Sequence, residues 1–335
     1  MSERPVLAIT MGDAAGIGPE ITLKALADAT LYDESRPLVI GSLAALEDIR
    51  ARLDIPVSLR RVSAPSEASY TAGTVDVLDL DNIDVSKLTL GEVQAQCGQA
   101  AFEYVQRAVE LANAGQVDAV VTAPINKEAL RAANVPYIGH TEMFADLQHV
   151  KSEMTMFLIQ NVRIFFLTRH VPLIEACRQI ADSDFVHAGI VRAYRALATL
   201  AAAKPRLAVA GLNPHSGEGG LLGREEIESI RPAIERAVAQ GMDVVGPVPA
   251  DSVFHFARQG QYDAVLSLYH DQGHIAAKVM DFEKTVSITL GLPTLRTSVD
   301  HGTAFDIAGK GLASAVSMVE AIRAAIRYAP NYRPV

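Results

Sequence analysis

The sequence predicts an α/β protein built on a covered, open sheet. Short apolar runs such as Ala264-Val-Leu-Ser-Leu268 and Leu207-Ala-Val-Ala210 show little polar alternation, as strands buried on both faces do. Stretches with helical spacing, such as residues 98–114, separate these runs. Polar residues follow as soon as an apolar run stops. That places them at the carboxyl ends of strands, where open α/β sheets hold their ligands.

In chain order, residues 6–10 read as the first strand, which runs into Met11-Gly-Asp-Ala-Ala-Gly-Ile-Gly-Pro-Glu20. Pro19 suits the first position of a helix and Glu20 its positive end, while Ile21, Leu23 and Leu26 continue an apolar face. A glycine-rich turn at a helix N-terminus can hold an anion or a cofactor, which makes Gly12, Asp13 and Gly16 candidate cofactor contacts. It can equally be a structural tight turn, and Gly16-x-Gly18 lacks the third glycine of the dinucleotide fingerprint. Residues 37–41 read as a second strand, with Ser42 able to cap the helix after it. Residues 54–90 are less regular, with β-like runs near Val57 and over 75–80. Residues 98–114 have helical spacing closed by Gly115, and 117–122 form a strand that delivers Asn126 and Lys127.

A turn at 136–142 leads into a helix for which Thr141 is a plausible cap, so His140 and Thr141 face a cleft or lie on a turn surface. Residues 163–168 form a strand ending in Arg169-His170. Asp182 or Ser183 starts a helix that makes His187 a helix-face residue, and His149 and His255 also lack a strand-end setting. Strand 207–210 hands over to Gly211-Leu-Asn-Pro-His215, a glycine-rich loop at 217–223 and a helix over 225–240. The glycines hold His215 and Glu218 in an unusual backbone path or make a mobile surface loop. Asp251 stands at the start of a further helix, as a cap or as a catalytic carboxylate. Strand 263–269 ends at His270 and Asp271, with Lys278 eight residues past that histidine. Residues 286–293 form a strand and turn before Arg296, and 301–312 precede an amphipathic terminal helix.

Three strands thus each hand a histidine to one sheet edge, and neutral imidazole suits zinc and other first-row divalent ions. His170, His215 and His270 are therefore a candidate three-histidine metal site. Their long separation in sequence carries less weight than a paired-cysteine motif, since only the fold can bring them together.

Composition bounds the function. A chain of 335 residues, 49% hydrophobic and 21% charged, fits a globular enzyme with two lobes. A net charge of -9 without a basic run argues against nucleic acid as a partner. Cys97 and Cys177 are too far apart for a zinc finger or a disulfide framework, which points to a reduced cytoplasm. Met1-Ser-Glu-Arg-Pro5 runs straight into the first strand, and no eighteen-residue apolar run occurs, so neither export nor a membrane span is expected. With no repeat or linker evident, the lobes are expected to be interleaved.

Six ordered motifs are similar to one family nearly end to end. They are Thr10-Met-Gly-Asp-Ala-Ala-Gly-Ile-Gly-Pro-Glu20, Gly139-His-Thr-Glu142, Gly211-Leu-Asn-Pro-His-Ser-Gly-Glu218, Pro249-Ala-Asp251, Tyr269-His-Asp-Gln-Gly273 and Arg296-Thr-Ser-Val-Asp-His-Gly-Thr303. Together they resemble the 4-hydroxythreonine-4-phosphate dehydrogenases of pyridoxine biosynthesis. The resemblance implies a three-layer α/β/α fold like that of isocitrate and isopropylmalate dehydrogenases, with an interlobe cleft. It implies a homodimer whose partner subunit completes the active site, and divalent-metal ligation by His170, His215 and His270 across the dimer interface. His140, Thr141, Lys278 and Arg296 match substrate-binding positions. His301-Gly-Thr-Ala-Phe-Asp-Ile-Ala-Gly309 looks like the adenosine-binding loop of isopropylmalate dehydrogenases, which makes His301, Gly302 and Asp306 cofactor contacts and implies NAD, with NADP as the alternative. Ser287 stands where the family usually has a substrate-binding asparagine. Ala14 and His274 look like a paralogous branch acting on 4-phospho-D-threonate or 4-phospho-D-erythronate.

The expected lobes are 1–128 with 288–335 on the NAD side, and 129–287 for the metal and dimerisation. The expected chemistry is oxidation of a phosphorylated hydroxy acid and then β-decarboxylation, giving 3-amino-2-oxopropyl phosphate from 4-hydroxythreonine 4-phosphate. Zinc, cobalt, manganese and magnesium all remain open as the metal. Lys278 is the candidate acid/base, with Asp251 and Asp271 as orienting carboxylates; its rival role is as a cation that anchors substrate. Two other classes compete: an NAD-independent metal lyase or hydrolase, and a noncatalytic binding module.

Overall fold

The computed structural model describes residues 4–151, 153–200 and 204–333, so Met1–Glu3, read as the run into the first strand, lie outside the described residues. The strands are β1 (Val6–Thr10), β2 (Arg36–Gly41), β3 (Ser58–Val62), β4 (Thr74–Asp79), β5 (Ala119–Thr122), β6 (Met154–Ile159), β7 (Val162–Phe166), β8 (Leu207–Ala210), β9 (Val244–Val248), β10 (Ala264–Ser267), β11 (Val286–Leu290) and β12 (Leu295–Val299). The chain divides into two compact units, Met1–Glu153 with Leu292–Pro330, and Met154–Gly291 with Asn331–Val335.

In the first unit the strand order is β3-β4-β2-β1-β5-β12 and every neighbouring pair is parallel. Thr10 lies opposite Thr122, and Thr122 opposite Ser298, so β1, β5 and β12 end side by side. Helix Ala95–Asn113 packs on β1, β2 and β5, and helix Val316–Tyr328 on β12 and β5, which is why β1 is buried along its whole length. Ser42 caps the helix Leu43–Arg52 by accepting from the Ala45 amide at 3.3 Å, as expected.

The helices Lys127–Ala132 and His140–Leu147 both pack on Ala95–Asn113, and residues 129–153 accordingly lie in the first unit, beyond the expected boundary at 128. The first contact is close: a Cβ on Gly98 would sit 2.0 Å from the Ala129 carbonyl oxygen. Thr141 is not the cap of its helix; Gly139 holds that position without a side-chain hydrogen bond.

The turn after β1 is closed by Asp13, whose Oδ1 accepts from the Ala15 amide at 2.8 Å. Its Oδ2 is sealed from solvent without a hydrogen-bond partner. Burial pushes the Asp13 carboxyl up to about 6 and, with Asp13 beside it, the Cys97 thiol up to about 12.

In the second unit β11, β6 and β7 pair antiparallel, and β7, β10, β8 and β9 continue in parallel. Phe157, Ile164, Phe166, Val253 and Val265 form the centre of a buried apolar cluster. Strand β10 stops at Ser267, two residues before the expected end, because the helix His270–Met280 starts almost at once. The helix expected over 225–240 is broken into a π-helical turn, Glu226–Ile230, and the α-helix Arg231–Ala239. Pro232 lacks an amide hydrogen, which favours this break.

Two predictions concern stability. Gly98→Ala overpacks the contact with Ala129 and is expected to cost about 1–3 kcal/mol, read as a lower urea midpoint. For Asp13 the native state holds its proton more tightly than the unfolded chain, since about 6 exceeds the ordinary 3.8. Its contribution is therefore full below about pH 4 and lost as pH rises through about 6. Asp13→Asn carries no such proton, so its stability relative to wild type should rise by up to about 3 kcal/mol between pH 4 and pH 7 in urea titrations.

Candidate active site

Strand β10 lies between β7 and β8, with Ser267 opposite Phe166 and Leu266 opposite Val209. The chain beyond each strand therefore leaves on one edge. The ends of β7 and β10 are joined further by the Leu167 amide donating to the Ser267 carbonyl (2.8 Å) and the Thr168 hydroxyl to the Leu268 carbonyl (2.8 Å). Gln272 links β10 to β8: its Oε1 accepts from the Leu268 amide at 2.7 Å, and its Nε2 donates to the Gly211 carbonyl at 2.8 Å.

This edge brings His170 and His270 together, with ring centroids 6.2 Å apart. Both line a cavity of about 330 Å³, with Arg169, Leu173, Tyr269 and Asp271 among its other walls. His270 Nδ1 is 2.6 Å from the Asp271 carboxylate. With Nδ1–H donating there, the lone pair is left on Nε2, the state of a metal-binding imidazole. His274 lies four residues on, its ring stacked on His270 at 3.6 Å and 10°. Burial pushes His274 down to about 4, so its ring is neutral at ordinary pH.

His215 is exposed, on a left-handed turn in which His215, Ser216, Gly217, Glu218 and Gly219 have φ of 52°, 54°, 77°, 43° and 68°. Buried Glu226 holds that loop by accepting from the Leu212 and Asn213 amides at 2.8 and 2.7 Å. Among the described residues, no group of three or more His, Cys, Asp or Glu side chains is assembled around one point. Two imidazoles on one cavity fit two positions of a first-row divalent ion; within one chain His215 does not join them. Lys278 is half-buried on the helix His270–Met280, 5.1 Å from the Phe282 ring centroid. Asp251 is exposed in the first turn of the helix Ala250–Arg258, where Pro249 is the N-cap, so Asp251 is not the cap. Ser287 is half-buried on β11 opposite Phe157.

In the first unit Arg296 is 4% exposed, and its Nε and Nη2 donate to the Thr122 hydroxyl at 3.2 and 2.9 Å. Its guanidinium lies 5.6 Å from the Phe144 ring centroid. Burial pushes Arg296 down to about 9, opposed by the charge of Glu142. His140 Nε2 is buried without a hydrogen-bond partner. Burial, and then the Arg296 charge, holds this imidazole well below its usual range, hence neutral. Half-buried Thr141 follows in the same helical turn. A sealed guanidinium beside a neutral imidazole suits an anionic ligand with a hydroxyl.

Of the cofactor candidates, Gly12 and Gly16 pack on protein: a Cβ would sit 2.3 Å from the Pro124 carbonyl oxygen at Gly12 and 2.8 Å from Thr303 Cβ at Gly16. Asp13 is fully buried, so these three residues form a closely packed turn. The loop after β12 is open. Asp306 is exposed, His301 half-exposed, and a Cβ on Gly302 would meet nothing within 4 Å. Lys24 and Glu20 hold the far end of this loop: Lys24 Nζ donates to the Gly311 and Ala313 carbonyls (2.9 Å each), and Glu20 Oε1 accepts from the Ala313 amide (3.1 Å). The loop is also tied at Thr303, which is buried and whose carbonyl accepts from the Ile17 amide at 3.0 Å; His301, Gly302 and Asp306 are the accessible residues on it that could hold a nucleotide.

Sequence reasoning missed Thr122, Phe144, Glu226 and Gln272 as parts of these sites, and took His274 only as a family marker. The four-residue spacing from His270 was the one signal that could have placed His274 on the same helix face.

The chain matches the family described as Pyridoxal phosphate biosynthetic protein PdxA over residues 33–325. A relative from Halalkalibacterium halodurans, named "Putative D-threonate 4-phosphate dehydrogenase", is 57% identical over 332 residues, with 99% of each chain covered. The solved structure of a 4-hydroxythreonine-4-phosphate dehydrogenase from Klebsiella pneumoniae is 42% identical with a TM-score of 0.91, covering 97% of this chain and 98% of that one. One from Burkholderia phymatum is 45% identical with a TM-score of 0.86 and the same coverage. The chain therefore belongs to the PdxA family and, like these relatives, is a dehydrogenase.

Proposed function

We propose that the chain oxidises D-threonate 4-phosphate with NAD and decarboxylates the product, in a divalent-metal-dependent reaction. The observation that carries the choice of acid is the 57% identity, over nearly the whole length, to a relative named for it, against 42% and 45% for those named for 4-hydroxythreonine 4-phosphate. Removing hydride from C3 and a proton from its hydroxyl leaves a β-keto acid. Loss of the carboxylate as carbon dioxide and return of one proton then give dihydroxyacetone phosphate. The second reading, favoured by the family description, is 4-hydroxythreonine 4-phosphate, which by the same steps gives 3-amino-2-oxopropyl phosphate.

Arg296 binds an anionic group of the substrate through its planar fork, and His140 and Thr141 orient a hydroxyl beside it. Ser287 offers a further hydroxyl contact. Lys278 takes the proton of the C3 hydroxyl and returns one after decarboxylation, with Asp251 and Asp271 orienting the groups around it. His170, His215 and His270 would hold the divalent cation, which supplies Lewis acidity at the C3 oxygen. NAD, held on His301, Gly302 and Asp306, would take up the hydride.

A homodimer is part of this reading. Leu173, Ile174, Ile275, Val279 and Phe282 of the second unit are 59–81% exposed, an apolar surface suited to a second copy of the chain. In this reading the second copy completes the histidine set. The cytoplasm is the proposed compartment, on the strength of free Cys97 and Cys177; no helix among the described residues is long and apolar enough to cross a membrane.

The test is NADH absorbance with D-threonate, D-erythronate and 4-hydroxythreonine 4-phosphates, each with zinc, cobalt, manganese or magnesium, and with NADP in place of NAD. D-threonate 4-phosphate should have the highest kcat/KM, and only with metal present; turnover without either nicotinamide would remove the reading. Lys278→Met should lower kcat by about 100-fold or more. A variant that kept kcat and only raised KM would leave the lysine as an anchor.

A further inference from the structure

We propose that His274 is a positioning residue for His270: its ring is a fixed wall that sets the plane of the His270 imidazole, so that Nε2 points into the cavity shared with His170. The proposal rests on the reading of His270 as a metal ligand.

His270 starts a helix and its side chain is 41% exposed, a setting in which an imidazole has several rotamers open to it. Two contacts restrict it. The Asp271 carboxylate meets Nδ1 at 2.6 Å, but Asp271 is itself 69% exposed, where water competes for both partners. The other contact is the His274 ring, and this one is anchored in the core.

His274 Nδ1–H donates to the His270 carbonyl at 2.8 Å, which fixes its own plane. Its ring meets Phe157 edge-on at 4.6 Å and Phe166 at 4.3 Å, and both phenylalanines are buried. Gly273 lets the helix come this close, since a Cβ there would sit 2.5 Å from Phe166 Cε1 and 2.6 Å from Ser267 Oγ. Core aromatics therefore hold His274, and His274 holds His270 face to face. A ligand fixed before the ion arrives loses less freedom on binding. Groups that orient metal-binding histidines typically contribute about 10- to 100-fold in affinity.

The test is titration of the full-length protein with Co²⁺, followed by visible absorbance, with thermal unfolding as the control for folding. His274→Ala should weaken Co²⁺ binding by about 10- to 100-fold. His274→Phe, which keeps a stacking face and loses the link to the His270 carbonyl, should fall between His274→Ala and wild type. A residue that acts through His270 has no further effect once His270 is gone, so adding His274→Ala to His270→Ala should leave Co²⁺ affinity unchanged. If His274→Ala and His274→Phe bind as tightly as wild type while His270→Ala does not, the positioning role is overturned and the ligand reading stands. Additive losses in the double variant overturn it in the same way. If His270→Ala binds Co²⁺ like wild type, both fall.

Discussion

Three parallel strands that share one register must end at one edge, and the second unit depends on this. Ser267 opposite Phe166 and Leu266 opposite Val209 fix β10 against both its neighbours. Adjacent strands lie about 4.8 Å apart, so side chains three or four residues past their ends have little room to diverge. The 6.2 Å between the rings of His170 and His270 follows from that pairing. A slip of one residue would exchange the side chains of β10 between the two covered faces of the sheet, so the packing that stabilises the core also locates the imidazoles. Gln272 extends the constraint beyond the ladder, since a single amide bonds to the backbone at the ends of both β10 and β8.

The first unit uses the sheet differently. Arg296 lies within β12 and is almost fully buried, where a cation costs more than it would in water. The Thr122 hydroxyl on the neighbouring strand and the Phe144 ring offset part of that cost. Burial acts on both basic groups in the same direction, lowering Arg296 and His140 alike. The outcome is a guanidinium that keeps its charge beside an imidazole that has none. One attracts an anion, and the other exchanges hydrogen bonds without adding a second positive charge.

The strands that bear on the sites were legible because they are short, apolar and abruptly ended: β1, β2, β5, β7, β8 and β10 each show that pattern. Strand β6 is as apolar as these but is not among the strands read from the sequence; only Gln160 and Asn161 separate it from β7. Thr141 looked like a cap by residue type, yet Gly139 holds that position, and backbone direction is not written in composition. The boundary at 128 missed the packing of two helices on Ala95–Asn113, the first of which rests on the missing side chain of Gly98. Candidate histidines could be named from strand ends, whereas their supports could not. Glu226 and Gln272 act on backbone amides and carbonyls more than ten and sixty residues from where those groups were read, and such bonds leave no periodic trace.

The loop after β8 shows what the buried carboxylate is for. A left-handed backbone costs a residue with a Cβ about 1–2 kcal/mol, and His215, Ser216 and Glu218 all adopt it in succession. Such a path persists only where neighbouring structure overrides the local preference. Glu226 supplies that structure: it is 1% exposed and accepts from two amides and from Asn213 Nδ2 at 2.9 Å. Gly217 makes room, since a Cβ there would come within 2.8 Å of the same carboxylate. An exposed turn of no consequence would relax to right-handed conformations at lower cost. The strain is therefore tied to the direction in which His215 leaves the chain, and the acid that holds it belongs with the histidine as one unit.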